Sequence, residues 1–222
     1  MKDRQTKMDM LATTIGSLPL YNKKLQPETL VPKEYIDLLV NLTSLAIHAP
    51  GDILEVGVYK GGSLFRIAQH IQENHYQEFS HRHLIGIDTF EGHPYINKEK
   101  DPPHHYKGRF NDTSYETVCR FFSSFTFVKI FKGECLDIFD TLPENQRFCL
   151  VNLDADIYDS YVRSIEYVYP RLSPGGIIIC DEYQGYGQKE FIDEYFKDKP
   201  VRIRPRVGLQ KNNYGIIIYK NT

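Results

Sequence analysis

The chain has 222 residues, 41% hydrophobic and 25% charged, a usage typical of one globular domain and unlike that of disordered or fibrous proteins. Its 27 basic and 29 acidic side chains leave a formal net charge of −2, which argues against binding to nucleic acid or anionic membranes through bulk charge. The four cysteines form no Cys-x-x-Cys pair, no apolar run approaches the roughly 20 residues of a membrane span, and the first residues lack a signal-peptide core. These features predict a cytoplasmic protein with no membrane or nucleic-acid partner.

Residues 1–50 are predicted to form an N-terminal extension that ends in a helix, and residues 51–222 one α/β domain. The first thirty or so residues mix charge, glycine and proline without periodicity. From Lys33 onward, apolar residues recur at steps of three and four, as one face of a helix requires. Pro50-Gly51 ends this pattern and marks the boundary.

After residue 50, short apolar runs alternate with helix-like stretches, the pattern of βα units that build a mostly parallel sheet. The sequence predicts seven strands, over residues 53–56, 83–88, 126–131, 148–154, 177–181, 201–206 and 214–219. Four helices are predicted between the first five strands. The connection between the last two strands is too short for a crossover helix, so these strands are expected to pair as an antiparallel hairpin.

Two helix starts carry predicted caps. Ser63 is placed to cap the helix after strand one, and Thr113-Ser-Tyr-Glu116 matches a capping box before the third strand. Between them, residues 92–112 contain prolines, histidines and charges without periodicity. A connection of this length in a compact domain is often functional, so we expect a lid loop.

A glycine-rich turn follows strand one, where cofactors bind in open α/β sheets. Its sequence, Glu55-Val-Gly-Val-Tyr-Lys-Gly-Gly-Ser63, fits neither the dinucleotide fingerprint nor a nucleotide-triphosphate loop. Glu55 would repel a phosphate but suits an ammonium group, and S-adenosylmethionine has an ammonium group and no phosphate. Asp88, at the end of strand two, is placed to accept hydrogen bonds from both hydroxyls of a ribose. The alternative for these residues is a tight turn beside a solvated carboxylate.

Acidic residues end strands four and five. If these strands are neighbours, Asp154, Asp181 and Glu182 converge on one edge of the sheet. Converging carboxylates repel one another unless a cation neutralises them, and oxygen-only ligation suits Mg²⁺ or Ca²⁺ better than zinc. The alternative is that these aspartates cap the next helix or turn.

Three motifs occur in a fixed order: the glycine turn Glu55–Ser63, Gly86-Ile-Asp88-Thr-Phe-Glu-Gly92 and Leu153-Asp-Ala-Asp-Ile-Tyr158. Over roughly residues 50–186, the chain resembles the macrocin and mycinamicin O-methyltransferase family. The resemblance implies a Rossmann-like, seven-stranded methyltransferase sheet, mostly parallel with the last strand antiparallel. It also implies Mg²⁺-dependent methylation of a sugar hydroxyl by S-adenosylmethionine, with residues 51–222 as the methyltransferase domain.

The resemblance also implies roles for individual residues. The implied cofactor-binding residues are Glu55, Gly57, Val58, Tyr59, Ser63, Asp88, Thr89, Phe90, Thr113, Ser114, Glu134, Cys135 and Ala155. The implied metal ligands are Asp154, Asp181 and Glu182, the last at a position where relatives usually carry aspartate. Asp154 is the expected catalytic base because it lies beside the metal, with Asp156, His104 and His105 as further candidates.

The expected partner is a small-molecule sugar or glycoside with vicinal hydroxyls, and a homo-oligomer is left open. One alternative function is an NAD-dependent oxidoreductase on the same fold, which the missing fingerprint glycines disfavour. Another is a noncatalytic partner subunit with the methyltransferase fold. Arg202, Arg204 and Arg206 alternate along one strand, where they are expected to form a solvated edge rather than to contact an anionic acceptor.

Overall fold

Seven strands form a single sheet in the order β3-β2-β1-β4-β5-β7-β6 in this computed structural model, which describes residues 26–183, 187–206 and 215–221. The strands are β1 Asp52–Val56, β2 Leu84–Asp88, β3 Val128–Lys132, β4 Phe148–Leu153, β5 Leu172–Cys180, β6 Val201–Pro205 and β7 Ile216–Lys220. Strands β1 to β5 pair in parallel, and β7 runs antiparallel to both β5 and β6. The predicted Rossmann-like sheet, with its antiparallel last strand, is therefore confirmed.

Seven helices are seen in the described residues. They are α1 Lys33–Ala46, α2 Gly62–Asn74, α3 Tyr76–Phe79, α4 Tyr115–Phe121, α5 Cys135–Phe139, α6 Tyr158–Arg171 and α7 Gln188–Phe196. Helix α7 falls in a stretch where the sequence predicts none. Its buried stripe consists only of Gln188, Ile192 and Phe196, one of them polar, which is too little to establish a helical period.

Two hydrophobic clusters pack on the two faces of the sheet, as burial on both sides of a parallel sheet requires. Alternate residues of the strands face opposite sides, so Ile53 belongs to one cluster and Leu54 to the other. Helix α1 packs in the first cluster through Tyr35 and Leu39, both almost fully buried. The helix of the extension is thus part of the core. The domain boundary at residue 50 stays a prediction.

Both predicted helix caps differ in the structure. The N-cap of α2 is Gly61, with a left-handed φ of 90°, and Ser63 instead donates a hydrogen bond to Glu55. The N-cap of α4 is Ser114, whose Oγ accepts from the amide of Thr117 at 3.3 Å. Thr113 instead donates to the carbonyl oxygen of Tyr59 at 2.6 Å. Both hydroxyls predicted as caps therefore tie the glycine turn to its surroundings.

The predicted strand ends shift in the second half of the chain. Strand β5 begins at Leu172, before the predicted turn at 174–176, and its register with β4 shifts between the pairs Phe148–Leu172 and Leu150–Ile177. Tyr214, the predicted start of the last strand, lies outside the described residues. No helix within the described ranges has the length and apolar character needed to cross a bilayer.

Candidate active site

A cavity of about 280 Å³ opens where the carboxyl ends of β1, β2, β4 and β5 meet. This is the crevice in which open α/β sheets bind ligands. The predicted site residues that line it are Gly57, Val58, Tyr59, Ser63, Asp88, Thr89, Glu134, Cys135, Asp154, Ala155 and Asp181. The predicted residues that do not line it are Glu55, Phe90, Thr113, Ser114 and Glu182. The structure thus brings most of the predicted site residues to one cavity. The others lie behind or beside it.

The glycine turn is shaped by close contacts within the chain. Gly57 has a φ of 93°, and a Cβ at this position would lie 1.8 Å from the carbonyl oxygen of Asp154. A Cβ at Gly62 would lie 2.4 Å from the side chain of Thr29. A side chain at either glycine would force the turn away from its neighbours, so these glycines keep the wall of the cavity tightly packed.

Asp88 anchors the same turn from the end of β2. Its Oδ2 accepts hydrogen bonds from the amides of Val58 at 2.8 Å and Tyr59 at 2.7 Å, and its Oδ1 accepts from the amide of Phe90 at 2.6 Å. Burial is the largest influence on this carboxyl and raises its pKa, against the lowering effect of these amides. Asp88 therefore organises two loops of the cavity wall, and a carboxylate oxygen can accept further hydrogen bonds from a ligand.

Glu55 lies fully buried in β1, behind the glycine turn. Its Oε1 accepts a hydrogen bond from Ser63. Burial raises the pKa of Glu55 to about 8, and hydrogen bonds from Ser63 and Asn152 oppose this shift. A positively charged ligand on the other side of the cavity wall would favour the ionised form of Glu55.

Four carboxylates, those of Asp154, Asp156, Asp181 and Glu182, converge at the ends of β4 and β5. Burial, Asp181 and Asp156 raise the pKa of Asp154 well above its usual range. Burial and Asp181 raise the pKa of Asp156 to about 7, and burial and Asp156 raise that of Glu182 to about 9. Such mutual repulsion is costly in the absence of a cation, and the convergence expected from neighbouring strands is observed.

Arg206 is a site residue that sequence reasoning missed. The expectation that it lies at a solvated strand edge is wrong, because its side chain is fully buried and donates a hydrogen bond from Nη1 to Asp181 Oδ1. Its guanidinium carbon lies 4.4 Å from the ring centre of Tyr35 on helix α1. Arg202 and Arg204 are exposed, as expected. A residue just after β6 thus supplies a cation to the acidic cluster.

The ends of the loop over residues 92–112 are joined by hydrogen bonds. The amide of His93 donates to the Arg109 carbonyl at 3.0 Å, and the amide of Gly108 donates to the His93 carbonyl at 2.9 Å. Within the loop, buried Asp101 accepts the amides of Asn97 at 2.7 Å and of Tyr158, at the start of α6, at 2.6 Å. The loop predicted as a lid is therefore fastened to the end of the segment that carries Asp154 and Asp156.

The same loop brings histidines to the acidic cluster. His93 and His105 are both buried, and their ring centres lie 4.9 Å apart. Burial lowers the pKa of His93. Burial also lowers the pKa of His105, to about 4, and a pKa below 6.5 leaves both rings neutral at physiological pH. His105, Asp156 and Glu182 form a group whose ligand atoms all lie within 4.8 Å of one another. Of the three ligands predicted from the sequence, only Glu182 is in this group.

The N-terminal segment before α1 also lines the cavity, which sequence reasoning did not predict. Residues 28–32 form part of its wall, and Glu28 pairs with Lys60 of the glycine turn at 3.0 Å. Lys60 also pairs with Asp112 at 3.0 Å. This segment has no hydrophobic periodicity that would predict its position. The signals it carries in the sequence are the charge of Glu28 and the proline Pro32 just before helix α1.

The chain is similar to a known protein family and to individual methyltransferases. It matches the model of the family described as macrocin-O-methyltransferase (TylF) over residues 27–204. It is 32% identical over 157 residues to the mycinamicin III 3''-O-methyltransferase of Micromonospora griseorubida, covering 66% of this chain and 60% of that protein. It is 28% identical over 163 residues to the 8-demethyl-8-(2,3-dimethoxy-alpha-L-rhamnosyl)-tetracenomycin-C 4'-O-methyltransferase of Streptomyces olivaceus, covering 69% and 60%. The chain thus spans about 60% of the length of both relatives.

Solved structures share the fold at lower identity. The O-methyltransferase NovP superposes with a TM-score of 0.70 at 18% identity, covering 99% of this chain and 100% of that one. The calicheamicin methyltransferase CalS11 superposes with a TM-score of 0.68 at 22% identity, covering 83% and 78%. The family match extends over most of the chain and includes the glycine turn, Asp88, Asp154 and Asp181. The chain belongs to the macrocin-O-methyltransferase (TylF) family.

Proposed function

We propose that the chain is an O-methyltransferase that uses S-adenosylmethionine to methylate a hydroxyl group of a sugar or glycoside. The observation that carries this proposal is the single cavity that joins the glycine turn and Asp88 to the acidic cluster. One end of the cavity suits a cofactor and the other an acceptor. The names of two relatives, which describe methylation of glycosides, support the acceptor class. Two solved relatives of the same fold are described as complexes with SAM or SAH, which supports the cofactor.

The residues of the turn fit this cofactor by charge. In the proposed arrangement, the carboxylate of Glu55 compensates the ammonium group of the methionine end across the turn, and Ser63 holds Glu55 in place. Asp88 accepts hydrogen bonds from the ribose hydroxyls. Glu134 and Cys135, on the neighbouring wall, border the adenine. S-adenosylmethionine supplies a methyl group on a positively charged sulfur, which leaves as neutral S-adenosylhomocysteine.

Asp154 is the proposed base. It lies at the end of β4, where its amide donates to the Val56 carbonyl at 2.9 Å, and it lines the acceptor end of the cavity. As the new carbon–oxygen bond forms, the hydroxyl proton passes to a carboxylate oxygen of Asp154. Its raised pKa makes Asp154 a better proton acceptor than an ordinary aspartate, provided that it enters the reaction ionised.

A magnesium ion fits the acidic cluster by chemistry, because Asp154, Asp181 and Glu182 offer only oxygen donors and repel one another without a cation. Asp181 keeps one carboxylate oxygen that Arg206 does not contact. A magnesium ion held there would lower the pKa of an acceptor hydroxyl and favour ionised Asp154. A vicinal diol is the proposed acceptor, since two adjacent hydroxyls can reach one cation.

Calorimetry with S-adenosylhomocysteine tests the cofactor proposal, and we expect binding in the micromolar range. Mass spectrometry of ligand carried through purification adds a second test, because a dinucleotide would indicate an oxidoreductase. Absence of heat on titration together with absence of any carried ligand would support a noncatalytic subunit. Either result contradicts the proposed function.

Variants at the acidic cluster test the proposed base and metal. We expect Asp154→Asn and Asp181→Asn to abolish methylation of a diol-bearing glycoside while S-adenosylhomocysteine binding stays within about threefold of the unmodified chain. Asp193→Asn, on the exposed side of α7, is the control and should keep full activity. Full methylation activity in the presence of EDTA would refute the proposed role of magnesium.

A further inference from the structure

A second group of donors lies beside the proposed magnesium ligands. Asp156 follows β4, Glu182 follows β5, and His105 comes from the loop over residues 92–112. One nitrogen of His105 and one oxygen of each carboxylate all lie within 4.8 Å of one another. Three separate parts of the fold therefore present ligand atoms to one small volume.

Buried polar atoms without partners surround this volume. His93 is 6% exposed, and its Nε2 lies 3.7 Å from Asp156 Oδ2 without a hydrogen bond to any described residue. His105 is 8% exposed, and its Nδ1 also lacks a partner in the described ranges. Gln188, which is 1% exposed, donates from Nε2 to Glu182 at 3.4 Å and leaves its Oε1 unpartnered by the residues described. Each such atom costs about 1–3 kcal/mol when buried without a partner, and a cation held at this place would give the histidine nitrogens one.

The backbone of Asp156 also has an unusual conformation. Its φ is 59°, in the left-handed region that non-glycine residues seldom adopt. This conformation occurs directly after the strand end that carries Asp154, and it accompanies the close approach of Asp156 to His93 and His105. Strain of this kind collects at ligand sites, where the surrounding structure holds it in place.

We propose that His105, Asp156 and Glu182 bind a divalent transition-metal ion such as Mn²⁺, with His93 next to it as a further donor. Imidazole nitrogen suits divalent transition-metal ions better than Mg²⁺, for which oxygen-only sites are typical, and Mn²⁺ accepts both imidazole and carboxylate ligands. The proposed ion differs from the magnesium ion above in two of its three ligands and shares Glu182. It stands on the geometry of these residues and does not require methyl transfer.

Such an ion would fasten the loop to the sheet. The loop is already tied to the start of α6 through Asp101, and a bond from His105 to an ion on Asp156 and Glu182 adds a tie to the ends of β4 and β5. Because His93, Arg109 and Phe110 of the same loop line the cavity, the ion would fix that part of its wall.

Electron paramagnetic resonance with Mn²⁺ tests the proposal on the full chain. We expect bound Mn²⁺ whose electron spin-echo modulation shows coupling to ¹⁴N of an imidazole. His105→Gln should remove this coupling and weaken Mn²⁺ binding at least tenfold. His81→Gln, an exposed histidine at the opposite edge of the sheet, is the matched control and should leave both unchanged. Asp181→Asn, which removes a ligand from the proposed magnesium set and none from the Mn²⁺ set, should keep the ¹⁴N coupling.

The proposal is overturned if the unmodified chain binds no Mn²⁺, if the bound ion shows no ¹⁴N coupling, or if His105→Gln retains that coupling. Should His105→Gln fail to fold by circular dichroism, Asp156→Asn replaces it, with the same loss of affinity expected. Titration with S-adenosylhomocysteine keeps the two proposals apart. Cofactor binding without nitrogen-coupled Mn²⁺ contradicts only this inference, and nitrogen-coupled Mn²⁺ without cofactor binding contradicts only the proposed function.

Discussion

Arg206 donates a hydrogen bond to Asp181 while its guanidinium packs against the ring of Tyr35. The third side of the guanidinium faces Gly215, where an added Cβ would lie 2.8 Å from Cζ and from Nε. This arrangement connects helix α1, the end of β5 and the start of β7. It also neutralises one of the acids in the cluster without using a metal.

The first prediction concerns this pair. Arg206→Met removes the cation and leaves Asp181 among other carboxylates, so we expect the free energy of unfolding to fall by about 3 kcal/mol in metal-free buffer. Urea denaturation followed by circular dichroism measures this change. In the double variant Arg206→Met/Asp181→Asn, at least half of the loss should be recovered, since the uncompensated charge is gone.

Arg204→Met is the control for the Arg206 variant. Arg204 lies exposed on β6, two residues before Arg206, and its substitution should change the stability by no more than about 0.5 kcal/mol. Equal effects of the two methionine variants would show that the buried pair does not stabilise the fold.

The sheet and its acidic edge could be predicted from the sequence for a simple physical reason. A parallel strand buried on both faces is a short apolar run with a sharp polar end, so Asp88, Asp154 and Asp181 mark where β2, β4 and β5 stop. Parallel strands end at the same edge, which brings these acids together once the strands are neighbours. Side-chain identity and chain direction are sufficient for this step.

Other parts of the site depend on contacts that a single sequence does not encode locally. Arg202, Arg204 and Arg206 occupy every second position, so the sequence pattern does not distinguish Arg206 from the other two. Its burial depends on packing against Tyr35, which is far away in the sequence. His105 reaches Asp156 only through the path of an aperiodic loop. The glycines of the turn could be located from the sequence, but the neighbours that require them, Asp154 and Thr29, could not.

The second prediction uses the titration of Glu55. Its pKa is about 8 in the folded chain and 4.5 in the unfolded chain, so the unfolded state releases its proton first as the pH rises. The stability associated with protonated Glu55 is complete below pH 4.5 and is lost as the pH rises through 8. Relative to the unmodified chain, Glu55→Gln should therefore gain up to about 3 kcal/mol of stability between pH 5 and pH 8.

Unfolding free energies of both proteins at pH 5 and pH 8, measured without ligand, test the Glu55 prediction. Glu73→Gln, an exposed glutamate on α2, serves as the control and should show the pH dependence of the unmodified chain. If Glu55→Gln also follows the unmodified chain, then Glu55 is ionised throughout this range and its burial does not govern its charge.

The third prediction separates the two roles of Asp88. If Asp88 holds both the turn and the ribose, Asp88→Asn should lower the affinity for S-adenosylhomocysteine at least tenfold, because an amide cannot accept on both sides of its head group. Calorimetry measures the affinity, and the thermal midpoint of the ligand-free protein reports the turn. Asp112→Asn is the control, since Asp112 contacts the same turn through Tyr59 and Lys60 but is exposed. A lowered thermal midpoint with unchanged affinity would leave Asp88 a purely structural role.

The fourth prediction concerns Asp101, which joins the loop over residues 92–112 to helix α6. In Asp101→Ala, the amides of Asn97 and Tyr158 lose their acceptor and the helix loses a negative charge at its N-terminus. We expect a loss of about 2 kcal/mol in the free energy of unfolding, by analogy with the removal of an N-cap. Hydrogen exchange followed by mass spectrometry should show faster exchange at residues 93–110 and at the first turn of α6, with β1 and β2 unchanged. Glu99→Ala, an exposed acid in the same loop, should affect neither measurement. If the two variants behave alike, the loop is held by its other contacts and Asp101 is not its anchor.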